Sequence, residues 1–201
     1  MAILANETRQ RMKKIVLLLA LMGFSAAAAQ TTDARAQQTQ VWANIDCAQS
    51  KIAAPAGLKC RATQETSGGT GNSSSAGAGG MFRRWSAFGT LHGVKFYYHL
   101  SEATSLRAQI RETASLEDGV KNMSPQGKEA KDFSTMTHRA GVDLLTFVSA
   151  AGEPCVGFRR YGPSALTGYK WILNATRCTP KGKPASEAEI DSFIAEAGYR
   201  S

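Results

Sequence analysis

His92, His99 and His138 are the only imidazoles in the 201 residues, and Cys47, Cys60, Cys155 and Cys178 the only thiols. Imidazoles would serve as general bases or metal ligands, and thiolates as nucleophiles, redox centres or zinc ligands. The spacing favours none of these. His92 and His99 flank one alternating stretch at an odd separation, so they project to opposite faces and would not hold one metal. No cysteine pair has C-x-x-C spacing, and H-E-x-x-H, G-x-S-x-G and Walker A sequences are absent. No catalytic residue, metal site or cofactor is assigned on this basis. A hydrolase with His99 or His138 as base stays open as the alternative function; it needs a concave polar pocket with the histidine beside a carboxylate.

The arginines offer a different chemistry. Phe82-Arg83-Arg84-Trp85 recurs as Phe158-Arg159-Arg160-Tyr161. Neighbours on a strand point to opposite faces, so each pair gives one guanidinium to either side. Strand ends with packed stems and solvated heads account for this pattern. The sharper account is an anion site shared by Arg83, Arg84, Arg159 and Arg160.

The start of the chain sets the redox context. Arg9, Arg11, Lys13 and Lys14 precede the apolar run Ile15 to Phe24, and Ala27-Ala28-Ala29 follows as a small-residue cleavage site. That is the pattern of a secretory signal peptide over 1–29, too short to span a bilayer. No later stretch could cross a membrane, so the expected address is periplasmic or secreted. Without residues 1–29 the chain carries 20 Lys+Arg against 15 Asp+Glu, and much of the formal charge of +8 is gone. The remainder fits an anionic envelope polymer or an envelope protein as partner, and no aromatic-basic groove motif points to nucleic acid. Four cysteines in an exported chain predict two disulfides. Cys155–Cys178 follows from a hairpin, and Cys47–Cys60 is the pair that remains.

These residues must be positioned by a domain over 41–201, after a Gln/Thr/Ala-rich tail at 30–40 that reads as disordered. Leu144 to Ser149, Cys155 to Tyr161 and Tyr169 to Cys178 are β-branched and aromatic runs between turn formers, hence three strands. A turn centred on Ala151-Gly152 sets Phe147 opposite Val156 and Leu145 opposite Phe158. With Cys155 facing Cys178, Phe158 faces Ala175 and Arg160 faces Leu173. One register then gathers Leu145, Phe147, Val156, Phe158, Ala175, Leu173 and Trp171 on one face. Ser186 and Glu189 form a capping-box pattern, and Ile190, Phe193, Ile194 and Ala197 form the stripe of a helix covering that face.

Upstream, Phe82 to Ser86 and Val94 to Leu100 read as strands and Glu102 to Glu112 as a helix with Leu106 and Ile110 inward. The stretch 67–80 contains only small residues and reads as a flexible loop. Short helical turns are expected over 113–141, with Phe133 and Met136 packing. The expected fold is α+β: an antiparallel sheet of hairpins with helices mainly on one face. The recurrence at Phe82 and Phe158 would make it two related hairpin-plus-helix units.

Cys155-Val156-Gly157-Phe158, a glycine-bearing turn, Cys178 and Pro180-Lys181-Gly182-Lys183-Pro184 before a helix resemble the C-terminal part of small exported proteins of Gram-negative bacteria. Those proteins are uncharacterised, so the resemblance implies an envelope address and no activity.

Overall fold

The long strands of the chain carry side chains that alternate between two faces, and where both faces are covered apolar residues occur on both. The computed structural model describes residues 41–67, 73–75, 80–106, 108–165 and 168–201. The expected leader and tail lie outside the described residues, as do 68–72 and 76–79 of the small-residue stretch. In chain order the elements are β1 (Trp42–Ile45), β2 (Ile52–Ala53), β3 (Lys59–Thr63), β4 (Thr66–Ser67), β5 (Ser73–Ser75), β6 (Met81–Leu91), β7 (Val94–Ala103), β8 (Ile110–Glu112) and helix α1 (Leu116–Met123). Then follow β9 (Thr137–Arg139), β10 (Val142–Val148), β11 (Pro154–Tyr161), β12 (Ser164–Ala165), β13 (Gly168–Tyr169), β14 (Trp171–Cys178), helix α2 (Glu187–Glu196) and β15 (Gly198–Tyr199).

Nine strands form one antiparallel sheet in the order β1-β3-β6-β7-β14-β11-β10-β9, with β4 also pairing β6. The strands β12-β13-β8-β5 and β15-β2 make two smaller sheets. Turn chemistry sets the long hairpins. His92-Gly93 joins β6 to β7 and Ala140-Gly141 joins β9 to β10, each with positive φ at both residues. That is the geometry whose twist matches the flanking strands.

Each face of the large sheet carries one helix. On one face Ile190, Phe193 and Ile194 of α2 pack on Tyr98, Leu100, Leu173, Ala175, Val156 and Phe158. The Phe193 ring meets Phe158 edge-on at 4.9 Å between centroids. Fully burying a side chain of this size contributes about 1.5–3 kcal/mol. Ser186 and Glu189 close the capping box at the start of α2 as expected. On the other face Leu116 and Val120 of α1 cover Leu145, Phe147 and the Cys155–Cys178 bridge. Both expected disulfides are present, with Cα–Cα distances of 5.1 Å for Cys47–Cys60 and 4.1 Å for Cys155–Cys178.

Several expectations are corrected. The fold is mostly antiparallel β, with only two α-helices among the described residues, rather than α+β with helices on one face. Residues 102–112 are not helical. Glu102 and Ala103 end β7, and Lys170 Nζ takes the carbonyls of Ser105, Leu106 and Ala108 at 3.2, 2.6 and 3.0 Å. Those tertiary partners override local helix propensity. Leu106, expected inward, is 95 % exposed, and Met136 is 53 % exposed. The two supposed units also differ: β6 and β7 meet in a two-residue turn, whereas β12 and β13 intervene between β11 and β14.

The second hairpin keeps the expected register, with Cys155 opposite Cys178 and Phe158 opposite Ala175. The first is shifted by one, so that Phe147 faces Cys155 and Leu144 faces Phe158. Ser149 pairs with Glu153 around a three-residue loop, Gly152 N–H donating to Ser149 O at 2.8 Å and Gly152 holding φ +77°. A loop of this length shifts the pairing by one residue relative to a two-residue turn. Leu145 and Phe147 therefore belong to the disulfide face under α1.

Candidate functional site

Register places one polar side chain per strand in a line across the α1-bearing face. Asn44 faces Arg61, Arg61 faces Ser86, Ser86 faces His99, and His99 faces Asn174. Asn174 faces Arg159, Arg159 faces Asp143, and Asp143 faces His138. Directly opposed residues share a face, so the line crosses the sheet from β1 to β9.

The half under α1 is closed. Arg159 is 2 % exposed. Its Nε donates to Asn174 Oδ1 at 2.8 Å, Nη1 to Ala114 O at 2.8 Å and Nη2 to Ser115 O at 3.1 Å. Glu112 Oε2 stands 3.7 Å from Nη2. A buried charge is tolerated when paired and hydrogen-bonded in this way. Ser115 is also the N-cap of α1, its Oγ accepting from Asp118 N–H at 3.0 Å. Arg159 therefore ties the start of α1 to the sheet. At the far edge His138 Nδ1 lies 3.2 Å from Asp143 Oδ1, and Tyr161 donates to Asp143 Oδ2 at 3.1 Å.

The other half lies on β1, β3, β6 and β7. Trp42 reaches in from the edge strand, its ring 4.6 Å from the Arg61 guanidinium and 6.0 Å from the His99 ring. Phe88 stands 5.1 Å from the same guanidinium. These contacts attract the cation but give its N–H groups no acceptor. Arg61 Nε is buried and has no hydrogen-bond partner among the described residues. Arg61 also forms no ion pair among the described residues. Arg84 lies on the same face, one residue pair away, with its backbone N–H donating to Thr63 Oγ1 at 3.0 Å.

His99 is buried in their midst, with Ser86 Oγ and Ser101 Oγ each 3.5 Å from a ring nitrogen. Burial lowers its pKa to about 3, assisted by the positive charges of Arg84 and Arg61. The imidazole is neutral at any ordinary pH. A cavity of about 10 Å³, room for about one water, separates it from Met123 and Val120 of α1. A second hollow, about 250 Å³ and open, lies between Lys95, Gln126, Ser149 and Glu153 and contains no histidine.

The four arginines singled out by sequence stand apart. Arg159 holds α1 and Arg84 lies three strands away on the same face. Arg160, on the opposite face, caps the end of α2 through Ile194 O at 2.9 Å and Ala197 O. Arg83 stacks on Trp85 at 4.2 Å and donates to Thr63 O at 3.0 Å. His92 sits in the β6–β7 turn. Sequence reasoning missed Arg61, Trp42 and Lys59. The available signal was the alternation in Lys59-Cys60-Arg61-Ala62-Thr63: a disulfide cysteine directed to the core puts Lys59 and Arg61 together on the reverse face.

Among the described residues no group of histidine, cysteine and carboxylate side chains could hold a metal ion. The chain matches no protein-family model, no curated protein and no solved structure.

Proposed function

We propose that this chain is an exported, non-enzymatic binding module of the cell envelope, and that its ligand is anionic. The observation that carries the proposal is the half of the polar line away from α1, where Lys59, Arg61 and Arg84 share one face around a neutral histidine. A cluster of one sign under partial cover focuses field toward anions. The leader-like start supports export. Two disulfides, and the lack of a helix long and apolar enough to cross a membrane among the described residues, are compatible with it.

The hydrolase alternative draws less support. It needs a histidine beside a carboxylate in a concavity. His99 is buried, and the charges acting on it are those of Arg84 and Arg61. His138 has its carboxylate, but its side chain is 71 % exposed on the outermost strands. The test is retention of the purified protein on an anionic polysaccharide resin. Retention that falls with added salt is expected. Flow-through at low salt, together with ester hydrolysis abolished by His138→Ala, would replace the module with the hydrolase.

A further inference from the structure

Arg61 and Arg159 occupy the same line across the same face, yet their surroundings differ. Arg159 has four acceptor contacts, from Asn174, Ala114, Ser115 and Glu112. Among the described residues Arg61 has two aromatic rings and no acceptor, and its Nε is already buried. A guanidinium stacked against rings keeps its donors in its own plane, which is the geometry that takes a planar carboxylate or a phosphate side-on. Leaving the Nε donor desolvated and unmatched is costly, and an anion drawn against the same guanidinium offsets that cost through its charge.

We infer that Arg61 is the centre of an oxyanion site, taking one phosphate or carboxylate group beside Trp42, with Asn44 and Lys59 at its rim. This rests on the anionic-ligand reading above and narrows it to a single oxyanion held at one residue. Asn44 faces Arg61 directly, Lys59 is two residues before it on the same strand, and both are exposed. The exposed amide and ammonium can donate to a second oxygen of the same group. Arg84 adds positive charge on that face without needing to touch the ligand. Ser86 and His99, the next two residues of the line, are buried and close its inner side. The Trp42 ring, lying against both Arg61 and His99, is a built-in reporter of occupancy.

The probe is inorganic phosphate, titrated into the ¹⁵N-labelled protein at fixed ionic strength. The expected result is a saturable shift of the Arg61 Nε and Trp42 indole N–H resonances, reduced at least tenfold in apparent affinity by Arg61→Gln. Arg61→Lys keeps the charge but loses the planar fork, and should weaken binding nearly as much. Saturable shifts that leave the Arg61 and Trp42 signals unmoved in the unaltered protein overturn the site, whatever the variants do. So does a linear, unsaturable response. Vesicles of phosphatidylcholine with phosphatidylglycerol, set beside the phosphate titration, separate a lipid headgroup from a free ion as source; a shift of the Arg61 signals by either supports the site. Resin retention that survives Arg61→Gln unchanged, with the Arg61 signals unmoved by phosphate and by vesicles, removes the site and keeps the envelope module. Phosphate binding at Arg61 without any resin retention keeps the site and removes the polymer.

Discussion

Gly119 in α1 offers a test in which local propensity and tertiary contact oppose each other. Alanine in a helix interior is about 1 kcal/mol better than glycine. At Gly119 a Cβ would lie 2.4 Å from Arg159 Nη2 and 3.3 Å from Asn174 Oδ1. An arginine tip normally swings aside at little cost, but this one is held at Nε, Nη1 and Nη2. Losing one hydrogen bond from a charged group costs about 1.5–3 kcal/mol, and overpacking adds about 1–3 kcal/mol. Gly119→Ala should therefore destabilise the protein by a net ~2–4 kcal/mol, against its helix propensity. Asn122→Ala, at an exposed position of the same helix, should stabilise by ~0.5 kcal/mol. Urea unfolding followed by circular dichroism measures both, with an unchanged m value as the check that only stability moved. In an Arg159→Met background the Gly119→Ala penalty should disappear and the propensity gain return, a coupling readable from a double-mutant cycle. A Gly119→Ala protein as stable as the parent would mean that Arg159 is not seated under α1, and the closed half of the polar line would lose its basis.

Two further outcomes follow from the same packing. His99 is held at about 3, below its ordinary value, so the unfolded chain takes up a proton on acidification while the folded one does not; its contribution is present above about pH 6.5 and is lost progressively toward pH 3. Glu189 is held at about 2, first by the Ser186 backbone N–H and then by Arg177, so its contribution is present above about pH 4.5 and is lost as pH falls toward 2. Melting temperatures across pH should show a shallower acid slope above pH 4.5 for His99→Gln and below it for Glu189→Gln; slopes matching the parent would refute the assignments. Of the disulfides, Cys155–Cys178 is buried under α1 while Cys47 is half-exposed, so native-state reduction followed by alkylation mapping should open Cys47–Cys60 first. Replacing Cys155 and Cys178 with serine should cost about 2–5 kcal/mol, and the reverse order of reduction would contradict the burial of that bridge.

The legible parts of the fold were those with two independent local constraints. At β11 and β14 the cysteine pairing and the apolar alternation demand the same register, and it is present. At α2 the capping box and the apolar stripe agree. The β10–β11 hairpin had alternation alone. Leu144 and Leu145 are both apolar and both buried, one on each face, so side-chain pattern could not choose between registers. Gly152 at positive φ decided it. Residues 102–112 failed for another reason: their carbonyls are claimed by Lys170, a partner more than sixty residues away that helix propensity does not contain. Strand burial on both faces of β7 also hid the role of His99, which reads as the polar side of a half-buried strand until α1 and Trp42 are placed.

The polar line was less legible still, because no two neighbours in it are close in sequence except across the tight hairpins. Its members come from seven pairings whose registers must all be correct; an error of one residue in any of them moves a side chain to the other face. Arginine clusters in the sequence drew attention to Arg83-Arg84 and Arg159-Arg160, but adjacency along a strand separates side chains rather than gathering them. Arg61 and Arg84 meet because β3 and β6 pair, with Arg61 opposite Ser86 two residues beyond Arg84. What distinguishes the two ends of the line is cover rather than residue type. Over Arg159 the start of α1 supplies carbonyl oxygens at hydrogen-bonding distance, and the guanidinium becomes a structural tie. Over Arg61 the cover is an indole, which shields the cation and offers its buried Nε no acceptor. A protein that needed only another tie would meet that requirement with an acceptor, as it does at Arg159. An aromatic cover fits a donor set that is to be satisfied by something arriving from outside.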